Sequence, residues 1–165
     1  MVTSYETEED IVSLDTIRRL PRGGGVDPLA VNTVRKWCRT HADVYAGLVV
    51  SESTLYIGFR SEAREHLKAL RELIPTITIR AFEAEHAYSD LVELVARISS
   101  DLPTLWLEGI EVAGVGIADD ENRVVVNLVR DDSSWIDHLR QRYGDDFVIF
   151  RVTGRFYALR GTPPT

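Results

Sequence analysis

The 165-residue sequence contains one cysteine, Cys38, and no apolar run long enough to cross a membrane. A single cysteine excludes an intrachain disulfide framework and a multi-cysteine zinc site. The start of the chain is acidic and has no apolar core segment, so the sequence predicts no signal peptide. We therefore expect a cytoplasmic protein without membrane association.

Basic side chains are too few to favour a polyanionic partner. The 19 lysine and arginine residues stand against 26 aspartate and glutamate residues, which gives a formal charge of -7. A field of this sign repels phosphates and anionic lipids, and no cluster of lysine or arginine reverses it locally. We therefore expect no nucleic acid as a partner.

The length and the 44% hydrophobic content suffice for one sizeable core. Residues 1–26 are acidic and end in a run of three glycines, which predicts a flexible N-terminal arm. Ile11, Leu14 and Ile17 leave open the alternative of a short docked helix. Residues 27–165 are predicted to form a single compact domain.

The clearest pattern in this domain lies between residues 109 and 152. Apolar residues alternate on both sides of a polar turn at residues 119–122, which is typical of a β-hairpin. A helical pattern and one more apolar strand pattern follow. The order of elements is therefore ββαβ.

An earlier stretch repeats this pattern. Ala46-Gly47 in the first hairpin matches Ala113-Gly114 in the second, and His66-Leu67 in the first helix matches His138-Leu139. Repetition of this length is typical of a duplicated unit that cannot bury its apolar face alone. The two copies are therefore expected to share a core.

We predict the fold class α+β, with two pseudo-repeated ββαβ units whose antiparallel sheets carry helices on one face. The repeats span about residues 44–82 and 109–152, and a long helix over residues 89–108 joins them. The alternative is a ferredoxin-like fold with an inserted helix, in which Thr54–Phe82 supplies a βαβ unit. Pro103 leaves open whether the long helix kinks or is split in two.

Capping residues mark the helix boundaries. Asp27 followed by Pro28 predicts the start of a helix that runs to about His41. Ser61 predicts the N-cap of the next helix, and Pro75 predicts its end.

Side chains with catalytic or metal-binding chemistry are scattered along the chain. Glu83, Glu85 and His86 are the residues that most resemble a divalent-metal cluster, but no second histidine follows at helical spacing. His66 and His138 occupy equivalent helix positions, which indicates inherited packing. No serine lies in a G-x-S-x-G motif. We therefore predict no enzymatic activity, no cofactor and no metal.

Three further features have simple structural interpretations. The turn at residues 119–122 has a calcium-like composition, but it lacks the ligand spacing of an EF-hand and is typical of a hairpin turn. Trp37, Trp106 and Trp135 lie in or at the ends of predicted helices, where we expect them to pack on the sheets. Cys38 is expected to be a small buried apolar group.

Four segments carry a family resemblance. They are LYIGFR at residues 55–60, SEAREHLKALREL at 61–73, IRAFEAEHAYSDLVELVARI at 79–98 and VAGVGIADDENRVVVNLV at 112–129. Over about residues 43–152 the chain resembles the prodomains of bacterial secreted serine proteases of the α-lytic protease and streptogrisin type, and the stand-alone actinobacterial proteins similar to them. The resemblance implies a pseudo-repeated ββαβ fold without catalytic residues, in which a sheet edge contacts the protease and templates its folding.

The leading functional hypothesis is a non-enzymatic module that contacts a protein partner, or a second copy of itself, through an exposed strand edge. The two predicted edges are Thr76–Phe82 and Phe147–Leu159. The alternative is a small-molecule or metal-responsive binding domain. The residues predicted to contact a partner are Phe147, Ile149, Arg151, Phe156 and Tyr157.

Overall fold

The computed structural model describes residues 10–155, which form five helices and seven strands. In chain order they are β1 (Ile11–Val12), α1 (Leu14–Arg19), α2 (Pro28–Arg39), β2 (Tyr45–Ser51), β3 (Thr54–Phe59), α3 (Ala63–Leu73), β4 (Thr78–Glu83), α4 (Tyr88–Leu107), β5 (Val112–Ala118), β6 (Arg123–Leu128), α5 (Ser133–Tyr143) and β7 (Val148–Val152). The α+β prediction is confirmed. None of the helices in this range combines the length and the apolar composition that a membrane crossing requires.

The chain divides into two compact units. The first comprises Met1–Glu93 and Ile117–Arg123, and the second comprises Leu94–Gly116 and Val124–Thr165. The boundary therefore falls inside helix α4 and inside the β5–β6 hairpin, and the tip of that hairpin belongs to the first unit. The single domain over residues 27–165 stays a prediction.

The first unit contains a four-stranded sheet in the order β1-β4-β3-β2. Strands β2 and β3 form an antiparallel hairpin, whereas β4 runs parallel to β3, with Ile57 opposite Ala81. The parallel pairing follows from the α3 crossover, which returns the chain to the end of the sheet where β3 began. The prediction of purely antiparallel sheets is therefore wrong, because each sheet is mixed.

The first sheet is covered on both faces. Val34 of α2 and Leu67 of α3 belong to one buried cluster with Leu55 and Ile57. Because successive strand residues point to opposite faces, Tyr56 lies in a second cluster on the other side. The prediction of helices on one face is wrong for this sheet, since α1 contributes to that second cluster.

Helix α1 and strand β1 occupy the segment that was predicted to be an arm. Ser13 accepts a hydrogen bond from the amide of Thr16 and caps α1, and Ile17 is fully buried against Phe82 and its neighbours. Ile11 pairs with Ala81 in the parallel β1–β4 ladder. The arm interpretation is therefore wrong for residues 11–19, and residues 1–9 lie outside the described residues.

The second unit contains a three-stranded sheet in the order β5-β6-β7. Strand β7 runs parallel to β6, with Val124 opposite Val148 and Leu128 opposite Val152. Both sheets therefore contain a ββαβ run, although their origin by duplication stays a prediction. The ferredoxin-like alternative is wrong, because it requires strands β3, β4 and β5–β7 to share one sheet.

Helix α4 is continuous from Tyr88 to Leu107 with Pro103 inside it, so the proline does not split it in two. The helix ends in a Schellman motif. Gly109 has a φ of 82°, its amide donates to the Trp106 oxygen, and the amide of Ile110 donates to the Leu105 oxygen. The helix therefore ends within one residue of the predicted position.

Candidate functional site at a sheet edge

Strand β7 forms one edge of the second sheet. Within residues 10–155 its only strand partner is β6. The Phe147 oxygen accepts from the amide of Val124 at 2.8 Å, and the amide of Thr153 donates to the Leu128 oxygen at 3.0 Å. These two bonds lie at opposite ends of the ladder, so the strand is paired with β6 along its whole length.

The phase of this ladder decides which backbone groups face outward. In a parallel pair, alternate residues of a strand bond to the neighbouring strand. Since residues 147 and 153 bond to β6, Ile149 and Arg151 direct their amides and carbonyls to β6 as well. The residues whose backbone groups point away from the sheet are Val148, Phe150 and Val152.

The predicted contact residues lie on and next to this strand. Phe147 and Ile149 are half-buried, and Arg151 is exposed. Phe150 is half-buried, with the guanidinium of Arg140 5.7 Å from its ring centre. Val152 has 54% of its surface exposed. Phe156 and Tyr157, the remaining predicted contact residues, lie outside the described residues.

The other predicted edge, Thr76–Phe82, is wrong. Strand β4 lies inside the first sheet, between β1 and β3. Beyond the two-residue strand β1, the guanidinium of Arg71 donates to the Ile79 carbonyl from Nε at 3.3 Å and from Nη2 at 2.8 Å. The carboxylate of Asp10 accepts from Arg71 at 2.7 and 3.0 Å. A short strand and an ion pair therefore cover this edge.

The β5–β6 turn covers the edge of β2. Asp119 accepts a hydrogen bond from the outward amide of Leu48 at 3.2 Å. Gly47 leaves space for this carboxylate, because a Cβ there would lie 2.8 Å from Asp119 Oδ1. Burial raises the pKa of the Asp119 carboxyl above its ordinary value, although the Leu48 amide opposes the shift.

Asn122 completes the cover of β2 from the same turn. It is fully buried, and its amide nitrogen donates to the Ala46 oxygen at 3.0 Å and to the His86 oxygen at 2.9 Å. Its side-chain oxygen accepts from the amide of His86 at 2.7 Å. The side chain thus bonds to three backbone groups, and its φ of 50° is one that asparagine tolerates.

The two middle residues of the turn make ion pairs. Glu121 lies 2.7 Å from Nε of Arg18 in α1, and Asp120 contacts Arg22. The sequence interpretation of the turn as a hairpin turn is confirmed. The sequence interpretation missed that all four side chains have partners in the first unit, because those partners lie far from the turn along the chain.

The candidate metal residues have other partners. Glu85 lies 3.5 Å from Nη2 of Arg123, and His86 is held through its backbone by Asn122. His86 Nε2 is 3.9 Å from Glu85. Within residues 10–155 no three histidine, cysteine or acidic side chains cluster as a metal site requires.

The two histidines at equivalent helix positions have different surroundings. The ring of His66 lies 5.5 Å from Trp37 and 5.1 Å from Phe59, which fits the predicted packing role. His138 has 47% of its side chain exposed and lies 3.3 Å from Glu108. The packing interpretation is therefore wrong for His138.

The tryptophans also differ from one another. Trp135 is buried, with the guanidinium of Arg130 4.4 Å from its ring centre, whereas Trp106 has 67% of its surface exposed. The core prediction is therefore wrong for Trp106, which is exposed in the last turn of α4.

The chain matches no protein-family model and no curated protein sequence.

Proposed function

We propose that the chain binds an extended segment of a partner protein, which adds to β7 as a further strand of the second sheet. In this mode of recognition, main-chain hydrogen bonds supply affinity and alternate side chains supply selectivity. The observation that carries the proposal is the outward direction of the backbone groups of Val148, Phe150 and Val152. An added strand gives these groups hydrogen-bond partners.

The side chains of β7 favour particular residue types in the partner segment. Ile149 and Arg151 share one face of the strand, where the first is half-buried and the second exposed. An aliphatic residue beside Ile149 and an acidic residue beside Arg151 suit these positions. The partner segment is therefore expected to alternate between aliphatic and acidic residues on this face.

Strand β5 is the other edge of the same sheet and suits this role less well. It contains Gly114 and Gly116, and glycine weakens a strand and provides no side chain for selectivity. The family resemblance over residues 43–152 also supports edge binding, since the protease prodomains use a sheet edge to contact the protease. The role is non-enzymatic, and assistance to the folding of a partner is what the resemblance implies.

A peptide selection against the full chain tests the proposal. Peptides selected from a random displayed library are expected to form strands and to slow the hydrogen exchange of the amides of residues 148, 150 and 152. The matched variants are Val152→Pro and Arg151→Pro. Val152→Pro removes an outward donor and is expected to abolish peptide binding while the chain stays folded.

Arg151→Pro removes a donor to β6 and is expected to cost about 3 kcal/mol of unfolding free energy. Peptides that bind Val152→Pro and the parent chain equally would overturn the proposal. Sedimentation of the peptide-free chain distinguishes self-association. A dimer that protects the same three amides would replace the partner protein with a second copy of this chain.

A further inference from the structure

A cavity of about 340 Å³ lies in the first unit. Helix α2 contributes Arg35, Cys38 and Arg39 to its lining, β2 contributes Tyr45, and the start of α4 contributes Tyr88. This volume lies at the lower end of the range for small-molecule sites, which are commonly about 300–1,000 Å³. The cavity is large enough for a small organic molecule.

The charged part of the lining consists of two guanidinium groups. Arg35 and Arg39 are one helical turn apart on α2, so their side chains extend from the same face. Within residues 10–155 no carboxylate lies at ion-pair distance from either group. Two cations at one cavity, neither of them in direct contact with a carboxylate, favour an anionic ligand.

The aromatic part of the lining consists of two phenols. The ring centres of Tyr45 and Tyr88 are 5.1 Å apart, with an angle of 44° between the rings. Neither hydroxyl group forms a hydrogen bond with any other residue of the described range. Burial raises the pKa of both phenols, so they remain protonated donors at neutral pH.

The remaining groups limit the charge and the chemistry of the ligand. After burial, the Asp119 carboxyl is a further cause of the raised pKa of Tyr45 and Tyr88, and Arg35 opposes the rise in the pKa of Asp119, so this group partly offsets the charge of Arg35. Burial raises the pKa of Cys38 to about 12, so the thiol is neutral and is not an activated nucleophile. The balance of charges favours a monoanion.

From these contacts we infer that the cavity binds a flat monoanion of the aromatic carboxylate class. Arg35 and Arg39 bind the carboxylate group, and the rings of Tyr45 and Tyr88 contact the flat body of the ligand. This site is separate from the partner-binding edge and adds a small-molecule ligand to the proposed function.

Titration of the isotope-labelled full chain with benzoate, followed by amide NMR shifts, tests the inference. Benzoate is expected to bind with a dissociation constant on the order of 1 mM, as suits a ligand of its size. The shifts are expected to concentrate on residues 35–45 and 88–89. Benzamide has the same shape without the charge, and cyclohexanecarboxylate has the charge without the flat ring, so both are expected to bind at least about tenfold more weakly.

Arg35→Gln is expected to weaken benzoate binding about tenfold, because it removes one charge-assisted contact. Arg64→Gln, which removes an exposed arginine from α3, is the matched control and is expected to leave the affinity unchanged. Equal losses in the two variants would overturn the inference. Equal affinity for benzoate and benzamide, or shifts spread over the whole chain, would also overturn it.

Discussion

The two sheets share a ββαβ order, but they differ in whether other parts of the chain cover their edge strands. In the first sheet, β1 and Arg71 cover β4, and the turn at residues 119–122 covers β2. In the second sheet, β7 pairs only with β6 among the described residues. Uncovered edges promote association, and proteins cover those that they do not use. The comparison therefore separates edges that serve stability from the edge at which we propose that a partner binds.

Removal of the Asn122 side chain is expected to have the largest effect on the covered edge. Asn122→Ala removes the hydrogen bonds that this side chain makes with the His86 amide and with the carbonyls of Ala46 and His86. It also places alanine at a φ of 50°. We expect a loss of about 3–5 kcal/mol in the free energy of unfolding, measured by urea denaturation.

Two matched variants separate the causes of this loss. Asn122→Gly also removes the hydrogen bonds but tolerates the backbone angle, so it is expected to cost about 1 kcal/mol less than Asn122→Ala. Asn32→Ala changes an exposed asparagine of α2 and is expected to stay within about 0.5 kcal/mol of the parent. A cost for Asn122→Ala as small as that of Asn32→Ala would show that the turn does not hold the β2 edge.

A smaller loss of stability is expected from adding a side chain at Gly24. The amide of Glu52, in the β2–β3 turn, donates to the Gly23 oxygen at 2.9 Å. A Cβ on Gly24 would lie 1.7 Å from the Glu52 oxygen, so Gly24→Ala forces the two segments apart. We expect a loss of about 2 kcal/mol in the free energy of unfolding.

Gly25→Ala is the matched control, because a Cβ on Gly25 meets nothing within 4 Å. This variant is expected to be neutral or slightly stabilising, by up to about 1 kcal/mol. Equal stabilities for the two variants would contradict the contact between Gly24 and Glu52. In that case the glycine run would be the flexible joint that its composition suggests.

The local structure was largely predictable from the sequence. Asp27 caps α2 by accepting from the Leu29 amide at 3.1 Å, and Pro28 is the first residue of that helix, as the pattern predicts. The predicted Ser61 cap is wrong, because Glu62 precedes α3 with a φ of 53° and makes no side-chain cap. Capping patterns depend on a few neighbouring residues, so the sequence predicts them correctly where the backbone keeps the usual cap geometry.

The covers of the sheet edges were not predictable in the same way. Asp119 meets Leu48 across 71 positions of sequence, and Arg71 meets Asp10 across 61 positions. Hydrophobic periodicity locates strands but does not state which strand lies at an edge, because edge order depends on these distant polar contacts. For this reason β4 was predicted as an edge although the structure places it inside the sheet.

The smallest expected effect is a pattern of hydrogen exchange along β7 in the chain without a partner. The amides of Ile149 and Arg151 donate to β6, whereas those of Phe150 and Val152 face outward. We therefore expect exchange at Phe150 and Val152 to be at least about tenfold faster than at Ile149 and Arg151, when it is measured by NMR at pH 7. The matched reference is β2, where the outward amide of Leu48 bonds to Asp119 and is expected to be protected. Equal protection of all four β7 amides would mean that the outward groups already have acceptors. The contrast between the two sheets would then disappear, because the edge of β7 would be covered as the edges of the first sheet are.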